Sequence, residues 1–112
     1  MIKYERHEFL ELFDDEIIKD ENLQQITYVL STKDGFIFKL QFIGNENRVC
    51  MILEYLQQQK EPIFEIELVD LGKISTDQKY LSFLKKDKMQ WCDDPFIKIQ
   101  VKPFIGFSHA IG

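Results

Sequence analysis

Between Phe36 and Ile43 the side chains alternate. Phe36, Phe38, Leu40 and Phe42 fall on one side of an extended chain, and Ile37, Lys39, Gln41 and Ile43 on the other. Three phenylalanines and a leucine in one row require apolar cover. Upstream, Ile26, Tyr28 and Leu30 form a matching alternate row, and Thr32-Lys33-Asp34-Gly35 between them carries the Asp-Gly hairpin signal. The pattern predicts strands over about 25–31 and 36–43, paired as a hairpin on which the remaining elements are built.

Other segments are read by the same periodicities. Phe9, Leu12, Phe13 and Ile17 lie at the i, i+3, i+4, i+8 spacing of one helix face, predicting a helix over about 7–19; a strand from Glu8 to Phe13 is the competing reading. Glu8 and Glu11 suit the start of that helix, whereas Asp14 to Glu16 further along oppose its dipole. Val49 to Leu53 is apolar without a break and follows the turn-rich Gly44-Asn45-Glu46-Asn47. The segment from Arg48 to Leu56 therefore reads as a strand buried on both faces, with a helix over the same residues as the alternative. After Pro62, Phe64, Ile66 and Leu68 alternate with Glu65 and Glu67, so a strand with one wet face is expected, ended by Asp70-Leu71-Gly72.

Ser75-Thr76-Asp77-Gln78 has the form of a capping box. With Tyr80, Leu81, Phe83 and Leu84 behind it and lysines at 85, 86 and 88, it predicts a second helix over about 76–87. Ile97, Ile99 and Val101 alternate with Lys98, Gln100 and Lys102, a strand that the prolines at 95 and 103 mark as protected and near an edge. A last short strand is expected within 104–110. The fold class expected is α+β: an antiparallel, meander-like sheet of about five or six strands with one or two covering helices.

At 112 residues the chain is expected to form a single globular domain over 1–112, large enough to need no disulfide or metal for stability. Two cysteines, Cys50 and Cys92, make no disulfide framework, and the start at Met1 carries no basic-then-apolar leader. The longest apolar run, Val49 to Leu53, is far short of a membrane span. A cytoplasmic location is the expectation.

Charge changes the picture more than composition does. The net charge is −5, and the first 22 residues hold eight carboxylates against Lys3, Arg6 and Lys19; beyond them acidic and basic residues balance. Such a field repels nucleic acid and anionic membrane and attracts cationic partners. Chemistry is sparse. Cys50, Cys92, His7 and His109 have no metal-ligand spacing, and the acidic run at 14–20 lacks the spacing and glycine of a calcium loop. Cys92 with His109 and Asp93 is the one conceivable nucleophile, but flanking Asp93 and Asp94 would raise its thiol pKa. Glu65 and Glu67 read as the wet side of a strand, and Lys85, Lys86 and Lys88 as an ordinary helix end. No glycine-rich phosphate loop or serine elbow is present. No cofactor and no catalytic residue are expected.

A binding surface remains. Glu8, Glu11, Asp14 and Asp15, joined by Trp91, Asp93 and Asp94, would give an acidic patch with an aromatic anchor. The function these features fit is a non-enzymatic module that covers a basic protein, of the immunity or antitoxin-inhibitor kind. Its carboxylates would stand in for substrate phosphates at a nuclease-type toxin's active site. Two alternatives stand beside it: an assembly subunit associating through a strand edge, and a small-ligand binder using the phenylalanine face. Oligomeric state is left open by the sequence.

Overall fold

The structure, a computed structural model, describes residues 1–44, 46–56, 61–77, 79–86 and 97–101, and the backbone of 106–109. It is α+β and dominated by antiparallel sheet. A short helix, α1 (Arg6–Leu12), precedes β1 (Asp15–Asp20), β2 (Gln25–Ser31), β3 (Phe36–Ile43), β4 (Arg48–Tyr55) and β5 (Phe64–Leu68), which pair in chain order as a five-stranded meander. Then β6 (Leu71–Thr76), β7 (Tyr80–Lys85), β8 (Ile97–Gln100) and β9 (Gly106–His109) form a second, four-stranded meander.

The central hairpin follows from its alternation. Phe38 pairs with Leu30 on one side and Leu53 on the other, and Leu40 with Tyr28 and Met51, so every apolar row faces the same way. Its loop is the three-residue kind. Thr32 N–H donates to Phe36 C=O and Gly35 N–H to Thr32 C=O, with Gly35 at φ +93°. Only glycine is at ease there: a Cβ would stand 3.0 Å from the Tyr55 ring and in a left-handed conformation.

The phenylalanine row is covered from two sources. Phe9, Leu12 and Phe13 arrive from α1 and its exit, and Ile74, Leu81, Phe83 and Ile99 from the second sheet; all belong to the core that contains Phe38, Leu40 and Phe42. β4 is buried on its inner face through Val49, Met51 and Leu53. On its outer face Cys50 is buried and Ile52 half-covered, so burial on both faces holds only in part.

Several expectations are corrected. The first helix ends at Leu12 rather than continuing to 19: Phe13 is already extended, and Asp14 to Glu16 would have set three carboxylates at the helix's negative end. The β-branched Ile17-Ile18 pair continues instead as β1. The helix over 76–87 does not form. Ser75 pairs with Ser82 and Thr76 with Leu81 in an antiparallel ladder, and Asp77 makes the turn, its Oδ1 accepting the N–H groups of Lys79 and Tyr80, both at 2.9 Å. An Asp ahead of an apolar run signals an N-cap and an Asx turn equally well, and tertiary pairing decides between them. Correspondingly, Asp70-Leu71-Gly72 does not merely end β5, since Leu71 opens β6. Finally β8 is interior, between β7 and β9. Its Lys98 ammonium lies 4.4 Å from the centre of the Tyr80 ring rather than guarding an edge. The sequence also undercounted the strands, expecting one sheet where there are two.

Candidate partner-binding surface

α1 is too short to be stable alone, and it is held by its apolar side. Phe9 is fully buried, its ring centroid 4.8 Å from Tyr4, 5.0 Å from Tyr28, 5.7 Å from Phe13 and 6.2 Å from Phe42. With Phe9 and Leu12 pointing inward, helical periodicity places Arg6 on one flank of the buried stripe and Glu8 on the other. Glu11, His7 and Leu10 then face outward, and all three are exposed.

The Arg6 flank carries the best-built polar cluster in the described residues. Arg6 forks onto Glu16, with Nε 2.9 Å from Oε2 and Nη2 2.6 Å from Oε1. The Tyr28 hydroxyl donates to Glu16 Oε2 at 2.7 Å and lies 3.1 Å from the Tyr4 hydroxyl. Register explains the meeting, since Glu16 and Tyr28 are direct cross-strand partners on the inner face. The Arg6 hydrogen bonds, against the cost of burial and with help from Tyr28, hold the Glu16 carboxyl below the usual carboxylate range. Burial first, then the Tyr4 and Glu16 hydrogen bonds, raises Tyr28 well above the usual phenol range. Glu16 is therefore a clamp for α1, and of the eight early carboxylates it is the one turned inward.

On the Glu8 flank the amino-terminal segment is stitched in place. The Gln24 side chain exchanges two hydrogen bonds with the Ile2 backbone, at 3.0 and 2.8 Å. Lys3 makes a parallel bridge with Lys73 of β6, donating to Gly72 C=O and accepting from Ile74 N–H, each at 3.0 Å. Between this segment, the start of α1 and β6 lies a groove of about 870 Å³, lined on one side by Tyr4, Glu5 and Glu8 and on the other by Ile74, Ser75 and Thr76.

Among the described residues, the remaining candidates do not form one cluster. Glu8 faces the groove and Glu11 faces solvent. Asp14, though exposed, accepts the Ser31 N–H at 2.7 Å, tying the helix exit to β2. Asp15 pairs with Val29, so by alternation it belongs to the outer face of the five-stranded sheet, opposite α1. Trp91, Asp93 and Asp94 lie outside the described residues. Later ion pairs, Lys39–Glu54 at 2.9 Å and Arg48–Glu67 at 2.7 Å, join strands β3, β4 and β5 to one another. Neither the groove nor the clamp was read from the sequence. Both depend on pairings between distant segments, and the helix expected over 76–87 hid the β6 edge.

Reactive chemistry is scarce among the described residues. The Cys50 thiol, on the outer face 3.4 Å from Glu65 Oε1, is pushed up to about 11 by burial and by that carboxylate, away from nucleophilic use. No group of three or more metal-ligating side chains occurs among the described residues. No helix among them is long and apolar enough to cross a membrane.

No protein-family model matches the chain, and no curated protein matches it. Among solved structures, the chain is similar to one in the contact-dependent growth inhibition toxin–immunity protein complex from Klebsiella pneumoniae 342. The TM-score is 0.66 at 14% identity, covering 97% of this chain and 96% of that one. At that identity the likeness is one of fold.

Proposed function

We propose that this chain is a non-enzymatic, immunity-type inhibitor that binds a toxin. The observation that carries the reading is the fold likeness over nearly the full length of both chains to a member of a toxin–immunity complex. The chemistry of the chain supports the immunity side of such a pair. Its net charge is −5, and the thiol of Cys50, the cysteine among the described residues, is set against reactivity. The partner we infer is a basic, nuclease-type toxin in the cytoplasm, bound on the α1 side through Glu8 and Glu11, with Trp91, Asp93 and Asp94 as further contacts and with Asp14 and Asp15 adding to the long-range field rather than to the contact. Exposed carboxylates attract such a partner by long-range electrostatics, and inhibition follows from occluding a positively charged active site.

The test is co-production of this chain with each of the reading frames that flank its gene, in search of one that arrests growth. Cells should survive the toxin only when the chain is present, and the purified pair should bind more weakly as salt rises from 0.05 to about 0.5 M, where screening shortens the reach of the field. Growth arrest despite abundant folded chain would sink the reading. A second reading, self-association through β1, has one observation in its favour: Ile17 and Ile18 on that edge strand are 52% and 41% exposed. A monomer by light scattering across a wide concentration range excludes it.

A further inference from the structure

The edge of β6 is only partly used. Asp77 N–H donates to Tyr80 C=O across the β6–β7 turn, so Ser75 and Lys73 aim their backbone groups at β7 while Ile74 and Thr76 aim theirs away. On that outward side Lys3 satisfies Gly72 C=O and Ile74 N–H. A parallel strand continuing through Glu5 would next pair with Ile74 C=O and Thr76 N–H. The chain instead peels off, because Glu5 C=O is taken by the N–H groups of Glu8 and Phe9 at the start of α1. That departure opens the 870 Å³ groove and leaves two backbone groups of β6 facing it with no backbone partner among the described residues.

We propose that this open edge receives an extended segment of the toxin, which adds a short strand beside Ile74–Thr76 and directs a lysine or arginine between Glu5 and Glu8. The inference rests on the inhibitor reading and names its mode of recognition. Unpaired strand edges template added strands, with main-chain bonds giving affinity and flanking side chains giving selectivity. The charge of the groove is ordered along its length. Lys3 and Lys73 sit at the closed end, where the bridge already exists, whereas Glu5 and Glu8 flank the end where the chain has left β6. A cationic side chain is therefore matched at the open end and repelled at the closed one.

The experiment uses the full chain, isotopically labelled, alone and with the growth-arresting partner that the co-production test identifies. Free, the Thr76 amide should exchange with solvent quickly; in the complex it should slow by roughly tenfold or more, the scale of one gained backbone hydrogen bond. Thr76→Pro removes an N–H that points away from β7 and should weaken toxin binding by roughly tenfold. Glu8→Lys should weaken it by a similar factor and flatten its salt dependence. If wild type binds toxin, Thr76 stays unprotected and Thr76→Pro binds equally well, the edge is not the site and the inhibitor reading survives. If wild type binds no toxin, both fall. Protection of Thr76 in the chain alone, rising with its concentration, would assign the edge to a second copy and overturn the proposal. The exchange measurement needs no variant, so it decides even if Thr76→Pro does not fold.

Discussion

Replacing Phe9 by alanine tests whether α1 is held as the structure implies. Phe9 is fully buried and stands within aromatic contact of four rings, Tyr4, Phe13, Tyr28 and Phe42, contributed by four separate segments of chain. Truncation removes that burial and leaves a cavity that the β2–β3 surface cannot close, because Tyr28 and Phe42 are fixed by their own ladders. Losses of about 3–5 kcal/mol are typical of such sites, a large part of the roughly 5–15 kcal/mol that holds a domain of this size. We expect about 4 kcal/mol here, which at about 4 °C per kcal/mol lowers Tm by about 15 °C. Urea unfolding followed by circular dichroism measures it, with the slope unchanged if unfolding stays two-state. Leu10→Ala, on the exposed side of the same helix, should change stability by less than about 0.5 kcal/mol. A Phe9→Ala loss below about 1.5 kcal/mol would mean that α1 is not docked, and the placement of Glu5, Glu8 and Glu11 would go with it.

Other predictions follow from the clamp and the outer face. Tyr28→Phe deletes one hydroxyl that donates to a half-buried carboxylate, and should cost about 2 kcal/mol without altering the sheet. Because the Glu16 carboxyl is held low in the folded state, its contribution is present above the ordinary carboxylate pKa and is lost as pH falls through the depressed one. Melting temperature should therefore drop as pH falls below the ordinary carboxylate range, and Glu16→Gln should remove part of that drop; equal acid profiles for the two proteins would contradict the clamp. With Cys92 replaced by serine, alkylation of Cys50 should be slow at pH 8 and rise only as pH approaches about 11. Rapid labelling at pH 8 would refute its burial beside Glu65.

The central sheet could be read from the chain because its segments obey period two and their turns carry local signals. Gln25–Ser31 and Phe36–Ile43 are observed within the bounds that alternation predicts, and Arg48–Tyr55 differs by one residue at its end. The second sheet was harder to read. Tyr80, Leu81, Phe83 and Leu84 fit a helical face as well as a strand, and the residues before them fit a cap as well as a turn; the pairing partners that settle the matter come from β6 and β8. The acidic beginning was visible as a total, yet its members look alike in sequence. What separates Glu16, Asp15 and Glu8 is their direction: one inward to Arg6 and Tyr28, one to the far face of the sheet, one into the groove. Cross-strand register and helix phase set those directions, and neither is encoded next to the residue concerned.

The parallel bridge between Lys3 and Lys73 has a bearing on how the protein is made. Residue 3 leaves the ribosome well before Gly72 and Ile74, so the segment around it is synthesised long before its β6 partners exist and is among the last to be fastened. Until then Ile2 and Tyr4 are held only by Gln24 and by the rings of Phe9, Tyr28 and Phe42, and the latch onto β6 stays open. An amino-terminal fusion would burden that latch directly.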